Sequence, residues 1–196
     1  MENVKKLIVD YSKKVYDKEL TPGKSGNISI KFTDSEGNKL IAISPTLLSL
    51  GILKEEDIAI VDLDGNAIEN NKPSSEVYMH CNIYKKREDI KAIVHTHSPY
   101  ATGFAHSHKK IKRYEGFGPI NIPYLAQIEY IKPGTVELAE AVGDAFSKSE
   151  DMDVLVLKEH GIITTGINLL EASDLAEFVE YSAKTQFIAN MLNSIK

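Results

Sequence analysis

Apolar residues recur at Val4, Leu7, Ile8, Tyr11, Val15 and Tyr16, with Lys and Asp between them. That is the period of one helical face, and it predicts a helix over 2–19 that stops before the breaker Thr21-Pro22-Gly23. The period then drops to two. Ile28, Ile30 and Phe32 predict a strand, Asp34–Asn38 a hairpin turn, and Lys39–Ile43 the return strand. Leu47, Leu48 and Leu50 predict a short helical turn or packed loop ending at Gly51. Residues 56–61 read as the next strand, turned back by Asp62-Leu63-Asp64-Gly65-Asn66. This turn carries the alternating Asp and Asn of a calcium loop. It lacks the longer loop and the closing Glu of that motif, so a hairpin turn is expected.

A second helix opens at Pro73-Ser74-Ser75-Glu76. Ser74 or Ser75 is its expected cap, and Glu76 falls in the first turn, where the helix dipole favours a carboxylate. Val77, His80, Cys81, Ile83 and Tyr84 mark its inner side, and it ends near Arg87. Ala92-Ile93-Val94 predicts a buried strand running into His95-Thr96-His97, closed by Ser98-Pro99 and followed by a short helix to Ala105. Residues 106–118 are polar and show little periodicity. Ile120, Ile122 and Tyr124 alternate as a strand, and Ile128–Ile131 reads as a short strand or loop. Pro133-Gly134-Thr135 starts a helix carrying Val136, Leu138, Ala139, Val142 and Phe146. Asp153–Leu157 is a near-continuous apolar strand, broken at Glu159-His160-Gly161 and resumed over Ile162–Thr165. Asn168 caps a last helix to about Leu192, with Leu169 or Leu170, Ala172, Leu175, Phe178, Val179, Ser182 and Ala189 facing inward. Phe187 falls off that stripe, toward another element or subunit. Hairpin strands flanked by helices predict a layered α/β or α+β domain with a mixed or antiparallel sheet. The 196 residues make one domain, 1–196, the expectation.

Charge narrows the partners. The net charge is −5 with both signs interspersed, and the short basic run Lys109, Lys110, Lys112 and Arg113 reads as a solvated loop or phosphate-proximal patch. No nucleic-acid partner is expected. Cys81 stands alone, so no disulfide forms within the chain, which fits a reducing, cytoplasmic setting. Neither a signal sequence nor an apolar run of membrane length is present, so no membrane partner is expected.

Histidine carries the chemistry. Residues two apart on a strand point the same way, so His95 and His97 offer half a metal site. An isolated pair of this kind is more often one buried and one solvent-facing imidazole. The further ligand candidates reverse that weighting. His160 follows an apolar strand and precedes Gly161, and Glu76 sits at a helix start. Three His with a carboxylate or water suit a catalytic divalent ion, zinc foremost. His80 reads as structural, a core donor or a support behind the ligands, and His106 and His108 as surface or subunit-contact residues. Asn27, Ser44, Thr46, Ser74 and Ser75 are small hydrogen-bonding groups in separate loops. Together with backbone N–H groups they suit a phosphate.

Five strings carry a resemblance that spans nearly the whole chain: Ser25-Gly26-Asn27-Ile28-Ser29, Ser44-Pro45-Thr46, Pro73-Ser74-Ser75-Glu76, His95-Thr96-His97 and Lys158-Glu159-His160-Gly161. In order and spacing they resemble the class II aldolase/adducin family, especially its sugar-phosphate aldolases and 4-epimerases. The resemblance implies a three-layer α/β/α fold with a central, largely antiparallel mixed sheet. It implies one Zn²⁺ per subunit on His95, His97, His160 and Glu76, with Glu76 also the catalytic carboxylate. It places the substrate phosphate on Gly26, Asn27, Thr46, Ser74 and Ser75. The implied reaction is reversible cleavage of a ketose 1-phosphate of the L-fuculose 1-phosphate kind to dihydroxyacetone phosphate and an aldehyde. A 4-epimerase, a dehydratase and an adducin-like interaction module are the alternatives. A homotetramer with active sites at subunit interfaces is also implied. Two departures stand out. Leu47 replaces a Gly often found after the Ser/Thr-Pro-Ser/Thr run. The Tyr that serves the aldehyde from a neighbouring subunit aligns near Lys109, leaving Tyr114 as the candidate acid. A C-terminal tail bearing a Tyr, and the Asp and Tyr pair of an epimerase, are not evident.

Overall fold

The computed structural model describes residues 2–114 and 123–195. Seven strands form one open sheet: β1 (Asn27–Thr33), β2 (Lys39–Ile43), β3 (Ala59–Asp62), β4 (Ala92–Thr96), β5 (Ala126–Ile128), β6 (Val154–Leu157) and β7 (Gly161–Gly166). Their order is β3-β2-β1-β4-β7-β6-β5, and every pairing is antiparallel except β5 with β6. The helices are α1 (Glu2–Asp17), α2 (Val77–Lys86), α3 (Pro99–Ala105), α4 (Val136–Ser147) and α5 (Leu169–Ser194).

Alternation along the strands makes the three layers. Ile41, Ile43, Ile93, Leu155 and Ile163 pack with Ile83, Tyr84, Val142 and Phe146 of α2 and α4. Ile28, Leu40, Ala42, Ala92 and Val94 pack with Ile8 and Val15 of α1 and Ala172 and Ala176 of α5. Burial of these side chains drives the layering, at roughly 1.5–3 kcal/mol for each large aliphatic group. The split between Ile93 and Val94 also sets the face of the next residues. His95 shares the α2/α4 face with Ile93, as the period of two requires.

Several sequence expectations need correction. Strand β3 starts at Ala59, because Glu55–Asp57 forms a 3₁₀ turn in which Asp57 N–H donates to Lys54 O and the Asp57 carboxylate accepts from Lys54 N–H. Strand β5 lies at Ala126–Ile128. Of the strand expected over 120–124, Ile120 and Ile122 lie outside the described residues, and Tyr124 makes an isolated bridge to Lys112. On α5 the buried stripe is Leu169, Ala172, Ser173, Ala176, Val179, Ser182, Ala183 and Gln186. Phe178 is exposed, since small side chains are what let α5 lie close against β4 and β7, and Ala189 is exposed because the buried stripe ends at Gln186. Phe187 packs on Tyr100 of α3, ring centroids 5.6 Å apart.

Both Asp-x-x-Gly-Asn turns are built alike. Asp62 Oδ1 accepts from the N–H groups of Asp64 and Asn66, and its Oδ2 from the Asn66 amide. Asp34 does the same with Glu36 and Asn38. The carboxylates close their own turns. Arg87, just past α2, donates to the carbonyls of Phe146, Ser149, Glu150 and Met152 and pairs with Asp89. It thereby anchors the loop that feeds β6, the strand leading to His160. Among the described residues no helix is long and apolar enough to cross a membrane.

Candidate metal centre and active site

Three elements deliver three imidazoles to one point. His95 ends β4 opposite Asn27 of β1 and Ile163 of β7. His97 follows one strand repeat later, its N–H donating to Leu20 O at 3.1 Å. His160 sits in the turn between β6 and β7, where its N–H donates to Leu157 O at 3.1 Å. The preceding residue, Glu159, takes a left-handed φ of 56° to close that turn. The ring centroids lie 4.7, 4.8 and 4.9 Å apart. His95 Nε2 is 2.9 Å from His97 Nε2 and 3.3 Å from His160 Nε2. Close approach depends on Gly161. A Cβ there would run into the Thr96 carbonyl oxygen and stand 3.2 Å from His97 Cδ2 and 3.4 Å from His95 Cε1.

These donors fit a metal ion. His95 Nδ1 lies 2.9 Å from Ile162 O, a carbonyl that can only accept, so the ring donates from Nδ1 and its neutral form keeps a lone pair on Nε2. Neutral Nε2 atoms facing one another repel unless a proton or cation lies among them. One ligand atom from each ring lies within 4.8 Å of the others, so the cluster could hold a metal ion.

Glu76 closes the site from the start of α2. The structure makes Glu76 itself the helix cap position, with its N–H donating to Ser74 Oγ at 3.3 Å, in place of the Ser cap expected. Its carboxylate turns toward the rings: Oε2 is 3.2 Å from His95 Nε2 and Oε1 is 3.4 Å from His160 Nε2. Asn27 Nδ2 donates to Glu76 Oε2 at 2.9 Å, and Asn27 Oδ1 lies 2.5 Å from His80 Nε2. The asparagine is therefore engaged on both sides, with one Nδ2 hydrogen left over. That role was not visible in the chain order. The only hint was that Glu76 and His80 are four apart and so share a helix face. His80 is fully buried, as a structural reading expects, whereas His106 and His108 are exposed.

Burial and charge set the protonation of the metal-free site. Burial works against the charge on Glu76, but the neighbouring His95, then His160 and the Asn27 amide, hold its carboxyl well below the usual range. Burial works against charge on His95 too, and the Glu76 carboxylate raises that imidazole regardless. Burial, with His95 nearby, lowers His97 to about 3 and His160 to about 4, and burial lowers His80 to about 3. Unfolded imidazoles titrate near their ordinary 6.5. Below that pH the unfolded chain takes protons that three folded rings refuse, so stability is lost as pH falls. His95 acts oppositely: its contribution is present at low pH and lost as pH rises. With three rings against one, metal-free protein should melt at a lower temperature at pH 5 than at 6.5. The slope is up to about 1.4 kcal/mol per pH unit for each uncompensated ring. Thermal scans in chelator would show it, and a melting point unchanged across this window would contradict the lowered values.

The loops expected to hold phosphate converge on Ser44. Its Oγ accepts from Ile28 N–H at 3.1 Å and its carbonyl from Ser74 N–H at 3.1 Å, while Pro45 bridges Pro73. The loop of Thr46 thus lies beside that of Ser74 and Ser75. Gly26 has a φ of 76°, and a Cβ there would meet Thr21 Cγ2 at 2.5 Å and His95 O at 2.7 Å. Leu47 has a φ of 61° and is 73% exposed. A left-handed leucine costs about 1–2 kcal/mol and buries little here in return. Leu47→Gly should therefore stabilise the fold by up to about 1 kcal/mol, after glycine's larger unfolded-state entropy is offset. Denaturant midpoints measure this, and a lower midpoint would show that Leu47 makes a compensating contact. Tyr114 is half-buried and follows Arg113, which pairs with Asp153 at the end of β6 remote from His160.

A layered sheet that brings three imidazoles and a buried carboxylate together has the layout of a metal-assisted enzyme. Residues 6–187 match the class II aldolase and adducin N-terminal domain, and the chain belongs to that family, as an enzyme of the class II aldolase type. It is 41% identical over 178 residues to the L-fuculose phosphate aldolase of Methanococcus maripaludis, covering 91% of this chain and 93% of that one. It is 31% identical over 188 residues to the 3-oxo-tetronate 4-phosphate decarboxylase of Haemophilus influenzae, covering 93% and 86%. A solved structure of an L-fuculose 1-phosphate aldolase superposes with a TM-score of 0.83 at 34% identity, over 97% of this chain and 87% of the other.

Proposed function

We propose that this chain is a zinc-dependent aldolase, a single domain that reversibly cleaves a ketose 1-phosphate of the L-fuculose 1-phosphate kind to dihydroxyacetone phosphate and an aldehyde. The observation that carries the reading is the Glu76 carboxylate set 3.2 Å and 3.4 Å from two of three converging imidazoles. His95, His97 and His160 would hold the ion, with Glu76 beside it. A divalent ion there supplies Lewis acidity toward a keto oxygen and its neighbouring hydroxyl. Gly26, Asn27, Thr46, Ser74 and Ser75 would receive the phosphate through neutral donors and backbone N–H groups.

In cleavage the C3–C4 bond breaks and its electron pair stays with the three-carbon keto fragment. The C4 hydroxyl loses its proton and becomes the aldehyde oxygen. Glu76, once it has taken up a proton from solvent, gives that proton to the fragment's carbon, and in condensation the carboxylate removes it again. Tyr114 or water handles the proton at the aldehyde oxygen. Arg113 fastens the chain at the end of β6 remote from its own His160, which supports Tyr114 serving a neighbouring protomer's site. The working form in this reading is a cytoplasmic homotetramer.

The test is to offer zinc-loaded protein a panel of phosphorylated ketoses and a phosphorylated 3-oxo acid, and to follow triose phosphate, epimer and carbon dioxide. Release of dihydroxyacetone phosphate and an aldehyde from a ketose 1-phosphate is expected. Epimer without triose would replace the reading by a 4-epimerase. Carbon dioxide from the oxo acid alone would replace it by a decarboxylase. No turnover and no metal uptake would point to an interaction module.

A further inference from the structure

Behind Glu76 a line of buried polar side chains crosses from α2 to β1. Glu76 Oε2 accepts from Asn27 Nδ2 at 2.9 Å. Asn27 Oδ1 is 2.5 Å from His80 Nε2. His80 Nδ1 is 2.7 Å from Ser29 Oγ, which is 2.8 Å from the Tyr84 hydroxyl. Asn27, Ser29, His80 and Tyr84 are all buried, His80 and Ser29 completely. None of His80, Ser29 and Tyr84 is needed to hold the ion or to touch substrate in the reading above.

The donors and acceptors in this line admit one polarity. Asn27 turns its Nδ2 donor toward Glu76 Oε2 and its Oδ1 acceptor toward His80. An amide oxygen can only accept, so His80 carries its proton on Nε2. Nδ1 then accepts, and the Ser29 hydroxyl donates to it. The Tyr84 hydroxyl donates in turn to Ser29, whose carbonyl oxygen also stands 3.1 Å away. Burial keeps each neutral member neutral: it lowers His80 to about 3 and pushes the Tyr84 phenol up. If the histidine proton moved to Nδ1, Nε2 would face the amide oxygen acceptor to acceptor. The amide would then flip and set its oxygen against the carboxylate.

We propose that His80 is a positioning residue for the reaction. Fixed as the Nε2–H tautomer, it holds the Asn27 amide with its N–H toward Glu76, and so aims the carboxylate oxygen that moves the substrate proton. The proposal rests on the catalytic reading of Glu76 given above. Residues that orient a working group in this way typically cost about 10- to 100-fold when lost.

Two substitutions separate this role from plain packing. In His80→Gln the longer amide can still donate to Asn27 Oδ1. In His80→Asn the shorter one reaches Ser29 but not Asn27. The Asn variant should lose about 10- to 100-fold in kcat with KM and zinc content near parental values. The Gln variant should recover most of that loss. Adding Asn27→Ala to the Asn variant should cost no more than Asn27→Ala alone, because His80 acts through Asn27. On the parental zinc-loaded enzyme, ¹⁵N shifts of the resonance missing from the Gln variant should report a neutral Nε2–H ring.

Equal losses in the Gln and Asn variants, additive losses in the double variant, or an Nδ1–H ring would each overturn the proposal. Failure of either variant to fold leaves the parental spectrum to decide. Glu76→Gln run alongside keeps the two levels apart. Parental turnover in that variant would remove the catalytic reading itself, whereas an inactive Glu76→Gln with a fully active His80→Asn would remove only the role of His80.

Discussion

Glu76→Gln is expected to lower turnover by about 10²- to 10⁴-fold while the protein still takes up metal. The substitution keeps the size of the side chain and an oxygen able to accept from Asn27 Nδ2, now 2.9 Å away. It removes the charge facing His95 and the basic oxygen that moves the substrate proton. Three imidazoles remain, and three nitrogen ligands suffice for a catalytic zinc site. The measurement pairs kcat for cleavage with elemental analysis of the same sample. Loss of turnover with metal retained separates a proton-moving carboxylate from a purely ligating one. Loss of both would make Glu76 a structural ligand, and parental turnover would strip it of either role.

The site was legible wherever spacing encodes direction. His95 and His97 follow from the period of two in β4, and they stand in the structure with ring centroids 4.7 Å apart. His160 was legible because an apolar strand breaks at it, and the break is the turn that brings β6 back as β7. Glu76 was legible as a carboxylate at a helix start, but its cap geometry was not. Local rules favour Ser there, whereas the Glu76 carboxylate is turned toward His95 and His160, which come from other parts of the chain. Asn27 and His80 could not be paired from sequence, because their bond joins residues 53 positions apart. Strand β5 escaped for a different reason. Ala126-Gln127-Ile128 is short and all three residues are half-buried, so no alternation marks it. Phe178 falls on the helical period of α5 but off its buried stripe. A helix lying close to a sheet needs Ala and Ser at the contact, and Ala172, Ala176 and Ala183 are the completely buried ones.

His95→Ala is expected to abolish tight metal binding, a larger loss than the about 10- to 100-fold that removal of an outer partner costs. His95 is the central member of the cluster. It is fully buried, its Nε2 lies within 3.3 Å of both other rings, and its Nδ1–H is fixed on Ile162 O. An alanine leaves two imidazoles and the Glu76 carboxylate, which loses its contact with His95, so the site is stripped of its central nitrogen ligand. It also leaves Glu76 without its nearest positive partner, and burial then pushes that carboxyl back up. Two measurements follow from one variant. Zinc content after dialysis should fall from one ion per chain toward none, and cleavage should fall to background. The β4 backbone keeps its ladder to β1 and β7 in this variant, so a cooperative thermal transition should persist. Parental zinc content in a folded His95→Ala protein would mean that the ion sits elsewhere, and the catalytic assignment of Glu76 would fall with it.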